Sequence, residues 1–223
     1  MGRDGKRTIG LNIVSELPND SAVHPMRGCL LLVVSCLLMV LASPVVAQSE
    51  TDDLGVGSFL VASRSLLDPN FHQTVVLLLD YSEKGALGVI INRPTQVELG
   101  EMMSELEGSW EGAGTVWVGG PVAHWQMVLL IRSQAALEGA ERVFEDVHFT
   151  ASRLVLEQVL QGETEFRTYA GYAGWGAGQL EGEIDRGSWH VLPGDPDMVF
   201  DEAPLELWRE LITRGEAQWA SLR

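Results

Sequence analysis

The sequence predicts an α+β fold in one compact domain, and three observations carry that prediction. Strand-length runs of β-branched and leucine residues outnumber helical patterns, and the two do not alternate strictly, as a doubly wound parallel sheet would require. The chain has 223 residues, of which 46% are hydrophobic, enough to build one proper core. No internal repeat and no low-complexity tract breaks the pattern.

A polar leader (residues 1–25), an apolar stretch (26–47) and a short linker (48–56) precede the body, which runs over 57–223. G-S-F-L-V-A-S, Gly57 to Ser63, reads as a short apolar strand. Ser65 to Phe71 is a turn, because Pro69 fixes its own backbone and biases Asp68 away from helix. Thr74 to Tyr81 is a continuous apolar run of strand length, buried on both faces. A turn around Gly85 and a second buried strand, Leu87 to Ile91, stopped by Pro94, complete a β-hairpin. Glu98 to Leu106 places Leu99, Met102, Met103 and Leu106 at helical spacing.

Thr115 to Val122 is a strand ending in a glycine pair and a proline, and Met127 to Arg132 is expected to pair with it. Thr150 or Ser152 caps a helix whose apolar side is Leu154, Leu156, Val159 and Leu160. The chain returns to strand over Phe166 to Gly174, makes a short helix or turn at G-Q-L-E-G-E-I-D, and forms another strand at S-W-H-V-L. A C-terminal helix over Leu205 to Ile212 follows Pro204.

Charge weighs against one class of function. The net charge is -16, and the residues after 47 carry 11 Lys/Arg against 28 Asp/Glu, so the acidity belongs to the body. Affinity for nucleic acid comes mostly from Lys and Arg neutralising phosphates, and no dense basic patch is present to offset this charge. Direct nucleic-acid binding is disfavoured. Both cysteines, Cys29 and Cys36, lie in the apolar stretch, so the body supports neither disulfides nor thiol chemistry.

Residues 26–47 have the layout of a secretory signal peptide: Arg27, an apolar run from Cys29 to Ala42 interrupted by Ser35, Pro44, and small residues ending at Ala47. Val45 and Ala47 would fill the cleavage-site positions and place the mature start at Gln48. The expected address is exported or periplasmic if this segment is cleaved and membrane-anchored if it is retained. The alternative is a cytoplasmic protein whose true start lies elsewhere.

The most informative stretch is G-Y-A-G-W-G-A-G-Q-L-E, Gly171 to Glu181, read as a close-packed corner between a strand and a short helix. Glycines in such a position invite a phosphate-binding hypothesis, but the final glycine of G-x-G-x-x-G is missing and Glu181 and Glu183 would face the anion. Asn92 and Arg93 end a buried strand, where Arg93 could hold a carboxylate in a fork of hydrogen bonds and Asn92 could close a turn. Asp68, Asn70 and His72 form a compact polar group that reads first as a turn, as do Asp195 and Asp197 in P-G-D-P-D. The body histidines, His72, His124, His148 and His190, lack metal-ligand spacing, and no serine-nucleophile elbow occurs. No catalytic set, metal site or cofactor is predicted. Trp117, Trp125, Tyr172, Trp175 and Trp189 sit in or beside glycine-rich turns, where a ring could anchor a partner. The expected binding residues are Asn92, Arg93, Tyr172, Trp175 and Gln179. The first four are expected to line one concave surface.

These pieces in this order, G-S-F-L-V-A-S with L-L-D-P-N-F-H-Q-T-V-V-L-L, G-A-L-G-V-I-I-N-R-P, V-W-V-G-G-P-V, F-T-A-S-R-L-V-L-E and G-Y-A-G-W-G-A-G-Q-L-E-G-E-I, resemble the AlgH/YqgE family of uncharacterised bacterial proteins. The resemblance spans nearly all of Gly57 to Ile212. It implies a bent, bifurcated mixed sheet forming a pseudo-barrel flanked by helices, and it brings the label of transcriptional regulator linked to alginate control, without catalytic residues to carry over. The chain departs from the family where A-H-W-Q-M-V-L-L-I-R replaces an R-G-F-rich strand after G-G-P-V. The expected function is a non-enzymatic binding or regulatory protein acting through protein partners, with its acidic surface steering basic ones. The alternative is a small-molecule binder or enzyme using Asn92, Arg93 and Gly171–Gly178.

Overall fold

Buried β-branched and leucine runs assemble here into a ten-stranded sheet in the order β10 (Trp189–Pro193), β1 (Ser58–Ala62), β2 (Val75–Ser82), β3 (Gly85–Ile90), β9 (Phe166–Gly176), β6 (Val122–Arg132), β8 (Val147–Thr150) and β7 (Glu141–Phe144), with β5 (Thr115–Val118) joining β4 (Pro94–Glu98) to β9. The computed structural model describes residues 54–104, 110, 113–201 and 203–221, all within the unit Ala47–Arg223. The leader, the apolar stretch 26–47 and most of the linker lie outside the described residues.

The first three strands follow the predicted runs. β1 (Ser58–Ala62), β2 (Val75–Ser82) and β3 (Gly85–Ile90) form an antiparallel meander, and β10 (Trp189–Pro193) adds antiparallel to β1. The predicted β2–β3 hairpin is present. Pro94 does not simply stop β3: it opens a short edge strand, β4 (Pro94–Glu98), a position where the missing N–H costs no ladder bond. Helix α1 is confined to Leu99–Met102.

β5 (Thr115–Val118) forces a correction, because β6 (Val122–Arg132) does not pair with it. β9 (Phe166–Gly176) lies between them, parallel to β5 and antiparallel to β6. Gly119 and Gly120 let the chain cross: Gly119 N–H donates to the Ala170 carbonyl at 2.9 Å, and a Cβ on Gly120 would lie 2.2 Å from the Tyr172 carbonyl carbon. One edge of β9 is therefore shared. Its first half pairs with β5 over Thr168–Ala170, and its second half pairs with β3 over Ala173–Gly176. This fork bends and bifurcates the sheet into a curled half-barrel of mixed pairing, as the resemblance implies.

Alternation along the strands sorts the interior into two clusters. Val128 and Leu130 of β6 enter the larger one, which also holds β1, β2, β3 and β10, whereas Leu129 and Ile131 enter a smaller one beneath α2 (Arg153–Leu160). Helix α2 buries Val155, Leu156 and Val159 but turns Leu154 to solvent, so its apolar face is displaced from the predicted one. Ser152 occupies the N-cap without a side-chain cap bond. The β7–β8 hairpin (Glu141–Phe144 and Val147–Thr150) extends the sheet beyond β6. Helix α3 (Gln179–Asp185), the single turn α4 (Pro196–Val199) and α5 (Pro204–Ser221) complete the fold. Leu207, Trp208, Leu211 and Ile212 of α5 join the larger cluster.

Candidate functional site

The glycine and tryptophan stretch is mostly strand. Gly174, Trp175 and Gly176 pair with Leu87, Ala86 and Gly85, so their backbone belongs to a ladder and does not form a phosphate-cradling loop. Gly171 is required by its surroundings. It sits at φ +74°, and a Cβ there would lie 2.6 Å from the Gly120 carbonyl oxygen and 2.8 Å from that of Val122.

The two following glutamates hold the corner together. Glu183 Oε2 accepts the indole N–H of Trp175 at 3.0 Å and of Trp189 at 2.9 Å, while its Oε1 accepts from Gln179 Nε2 at 3.0 Å. Gln179 Oε1 in turn accepts the Gly176 N–H at 3.1 Å. Phe71 stacks on Trp175 with ring centroids 6.0 Å apart and meets Trp189 edge-on at 5.5 Å. Glu181 accepts from the Tyr81 hydroxyl at 2.7 Å, and this bond, with burial and the carboxylate charge, pushes the phenol up to about 12.

Asn92 and Arg93 fasten the loop before β2. Asn92, 5% exposed, accepts the Val75 N–H at 2.9 Å and donates to the Gln73 carbonyl at 3.0 Å. Arg93 donates to the carbonyls of Asn70 at 2.6 Å, His72 at 3.1 Å and Pro69 at 3.4 Å. Its fork thus grips backbone where the sequence suggested a carboxylate. Burial lowers the guanidinium pKa from its ordinary value, partly countered by Asp68. Asp68 makes the turn expected of it, accepting the Asn70 N–H at 2.7 Å.

The expected concave surface is not formed. Asn92 and Arg93 line a cavity of about 200 Å³ with His72, Leu205 and Trp208, and neither Tyr172 nor Trp175 borders it. Trp175 is 6% exposed and Gln179 is engaged at the corner described above. The reason is the fork in β9, which carries the second half of that strand to β3 and packs Trp175 beneath Phe71.

Two surfaces remain that could receive a partner. β6 pairs with β9 at Val122↔Tyr172 and next at Met127↔Ala170, so residues 123–126 leave the ladder, with Ala123 at φ 47°. On that segment Trp125 is 84% exposed, whereas Trp117, Trp175 and Trp189 are buried and Tyr172 is half-buried. The second surface is a largely apolar groove of about 490 Å³ between Pro94, Trp117 and Leu205, rimmed by Asp201 and Glu206. Arg167 lies 4.3 Å over the Trp117 ring and donates to the carbonyls of Val199 and Asp201 at 3.1 and 2.7 Å. Sequence reasoning named Trp125 among several aromatics, but only the break in the β6 ladder distinguishes it. Among the described residues no group of three His, Cys, Asp or Glu is placed to hold a metal ion.

Known proteins resemble this chain in sequence and in fold. A family model described as AlgH-like, a domain family of unknown function, matches residues 59–220. A UPF0301 protein from Streptomyces avermitilis is 39% identical over 170 residues, covering 74% of this chain and 88% of that protein. One from Hahella chejuensis is 38% identical over 145 residues, covering 64% and 78%. Among solved structures, the AlgH protein from Pseudomonas aeruginosa superposes with a TM-score of 0.61 at 30% identity, covering 80% of this chain and 91% of that one. A protein from Corynebacterium diphtheriae gives a TM-score of 0.61 at 23% identity, covering 72% and 87%, and speaks to the fold alone.

Proposed function

The chain belongs to the AlgH-like family, and from that premise we propose that it is a non-enzymatic binding protein acting in regulation through protein contacts, anchored by Trp125. One observation carries this reading. A tryptophan 84% exposed on a strand that has left its ladder keeps a large apolar surface in water. Burying such a ring against a partner is worth on the order of 4 kcal/mol before the costs of association. Tyr172, half-buried on the neighbouring strand, pairs with Val122, three residues before Trp125.

The acidic body supports a basic protein surface as the complement, and disfavours direct contact with nucleic acid. The small-molecule reading at Asn92, Arg93 and the glycine stretch has less support, because those side chains are engaged in holding the fold. The test compares wild-type protein with Trp125→Ala as bait in extract from the bacterium that encodes it. The variant is expected to keep the wild-type melting temperature and to lose a discrete partner. Identical capture by both proteins, or a melting temperature lowered by several degrees, would defeat the proposal.

A further inference from the structure

The largely apolar groove of about 490 Å³ has a chemistry that selects what enters it. Trp117 of β5 and Pro94 of β4, register partners in the sheet, line it together with Leu205 from the first turn of α5. Leu205 is 70% exposed, so its side chain stays in water beside other apolar groups. Covering such a surface is favourable, and the groove is open enough at Leu205 for a chain to enter without being enclosed.

The charges in the lining differ in what they offer a ligand. Arg167 is already committed: it lies 4.3 Å over the Trp117 ring and donates to the carbonyls of Val199 and Asp201. The other two charged groups are carboxylates. Asp201 accepts the Ala203 N–H on Oδ1 at 2.8 Å and takes part in no ion pair among the described residues. Glu206 accepts from Arg209 at 2.7 Å, in an exposed pair of the kind that contributes little. One engaged arginine against two carboxylates leaves the lining net negative.

We propose that this groove docks a peptide segment of a partner protein in which a leucine-sized apolar side chain is flanked by lysine or arginine. The apolar side chain covers Trp117, Pro94 and Leu205, and the flanking cations meet Asp201 and Glu206. An acidic flank would meet the same two carboxylates and is disfavoured. The volume suits one such side chain with its adjacent backbone. This surface is independent of the role proposed for Trp125, and Trp125→Ala is expected to leave it intact.

The test follows the Trp117 indole and Leu205 amide signals of the isotope-labelled full-length chain by NMR as acetyl-Ala-Lys-Leu-Lys-Ala-amide is added. Control peptides replace both lysines by glutamate, or the leucine by serine, and L-leucinamide supplies the same side chain and a cation without a peptide chain. The Lys-Leu-Lys peptide is expected to shift both signals saturably, and each control to bind at least about fivefold more weakly. Leu205→Ser and Glu206→Gln alter exposed side chains, so both variants are expected to keep the wild-type melting temperature. They are expected to weaken the Lys-Leu-Lys peptide by about fivefold and about twofold respectively. Equal affinity for the lysine and glutamate peptides or for L-leucinamide, binding that either variant leaves unchanged, or no shift of the two signals up to about 10 mM peptide would overturn the proposal.

Discussion

At the scale of single residues, Glu183 links the family's sequence signature to its stability. One carboxylate accepts two indole N–H groups and a side-chain amide, and the Trp189 indole it serves is almost fully buried. Glu183→Ala would strand both indole donors and is expected to cost on the order of 3 kcal/mol in urea unfolding, with Glu183→Gln milder because an amide oxygen can still accept. Tyr81 gives a pH-dependent counterpart. Its folded pKa is raised from 10 to about 12, so the stabilisation from its bond to Glu181 is fully present below pH 10 and is lost as pH rises through about 12. Tyr81→Phe is expected to flatten the fall in stability between those values, measured by unfolding at stepped alkaline pH. An unchanged slope would mean that the phenol does not titrate in that window. The residue types of this corner were legible in the sequence, but their use was not. Glu181 and Glu183 read as repelling an anion, and only the packing of α3 against β3 and β9 turns them toward Tyr81 and the two indoles.

At the scale of elements, the β9 fork explains which readings succeeded. β2 and β3 were legible because continuous apolar runs declare strands buried on both faces. The partner of β6 was not, because a parallel β5–β9 pair depends on residues some fifty positions apart and leaves no local mark. The β7–β8 hairpin escaped for another reason: four-residue strands carrying Glu141, Arg142 and His148 show too little periodicity. The fork also distinguishes glycines that look alike in the sequence. Gly178 sits at φ 71° with nothing within 4 Å of a would-be Cβ, so Gly178→Ala is expected to cost only about 1 kcal/mol of left-handed strain. Gly171→Ala meets the same strain and drives a methyl into two backbone carbonyl oxygens where β9 passes β6. It is expected to abolish soluble folded protein on expression; near-equal midpoints for the two variants would contradict the close approach.

At the scale of the whole molecule, charge and address would constrain the proposed partner. The described fold accounts for the family signature largely in structural terms, and the exposed chemistry lies elsewhere, on Trp125 and in the acidic body. Both were visible as residues in the sequence. Which tryptophan remained exposed was not, since that depends on how far the ladder between β6 and β9 extends. If residues 26–47 act as an export signal, N-terminal sequencing of protein from fractionated cells is expected to begin at Gln48, and a membrane-bound form retaining them would indicate an anchor. Soluble cytosolic protein that keeps them would contradict both. The most direct measurement of partner binding places a photoreactive residue at position 125 in the living bacterium and compares it with the exposed position Glu138. A discrete protein adduct is expected from 125 and none from 138; equal, diffuse labelling from both positions would contradict an anchoring role for Trp125.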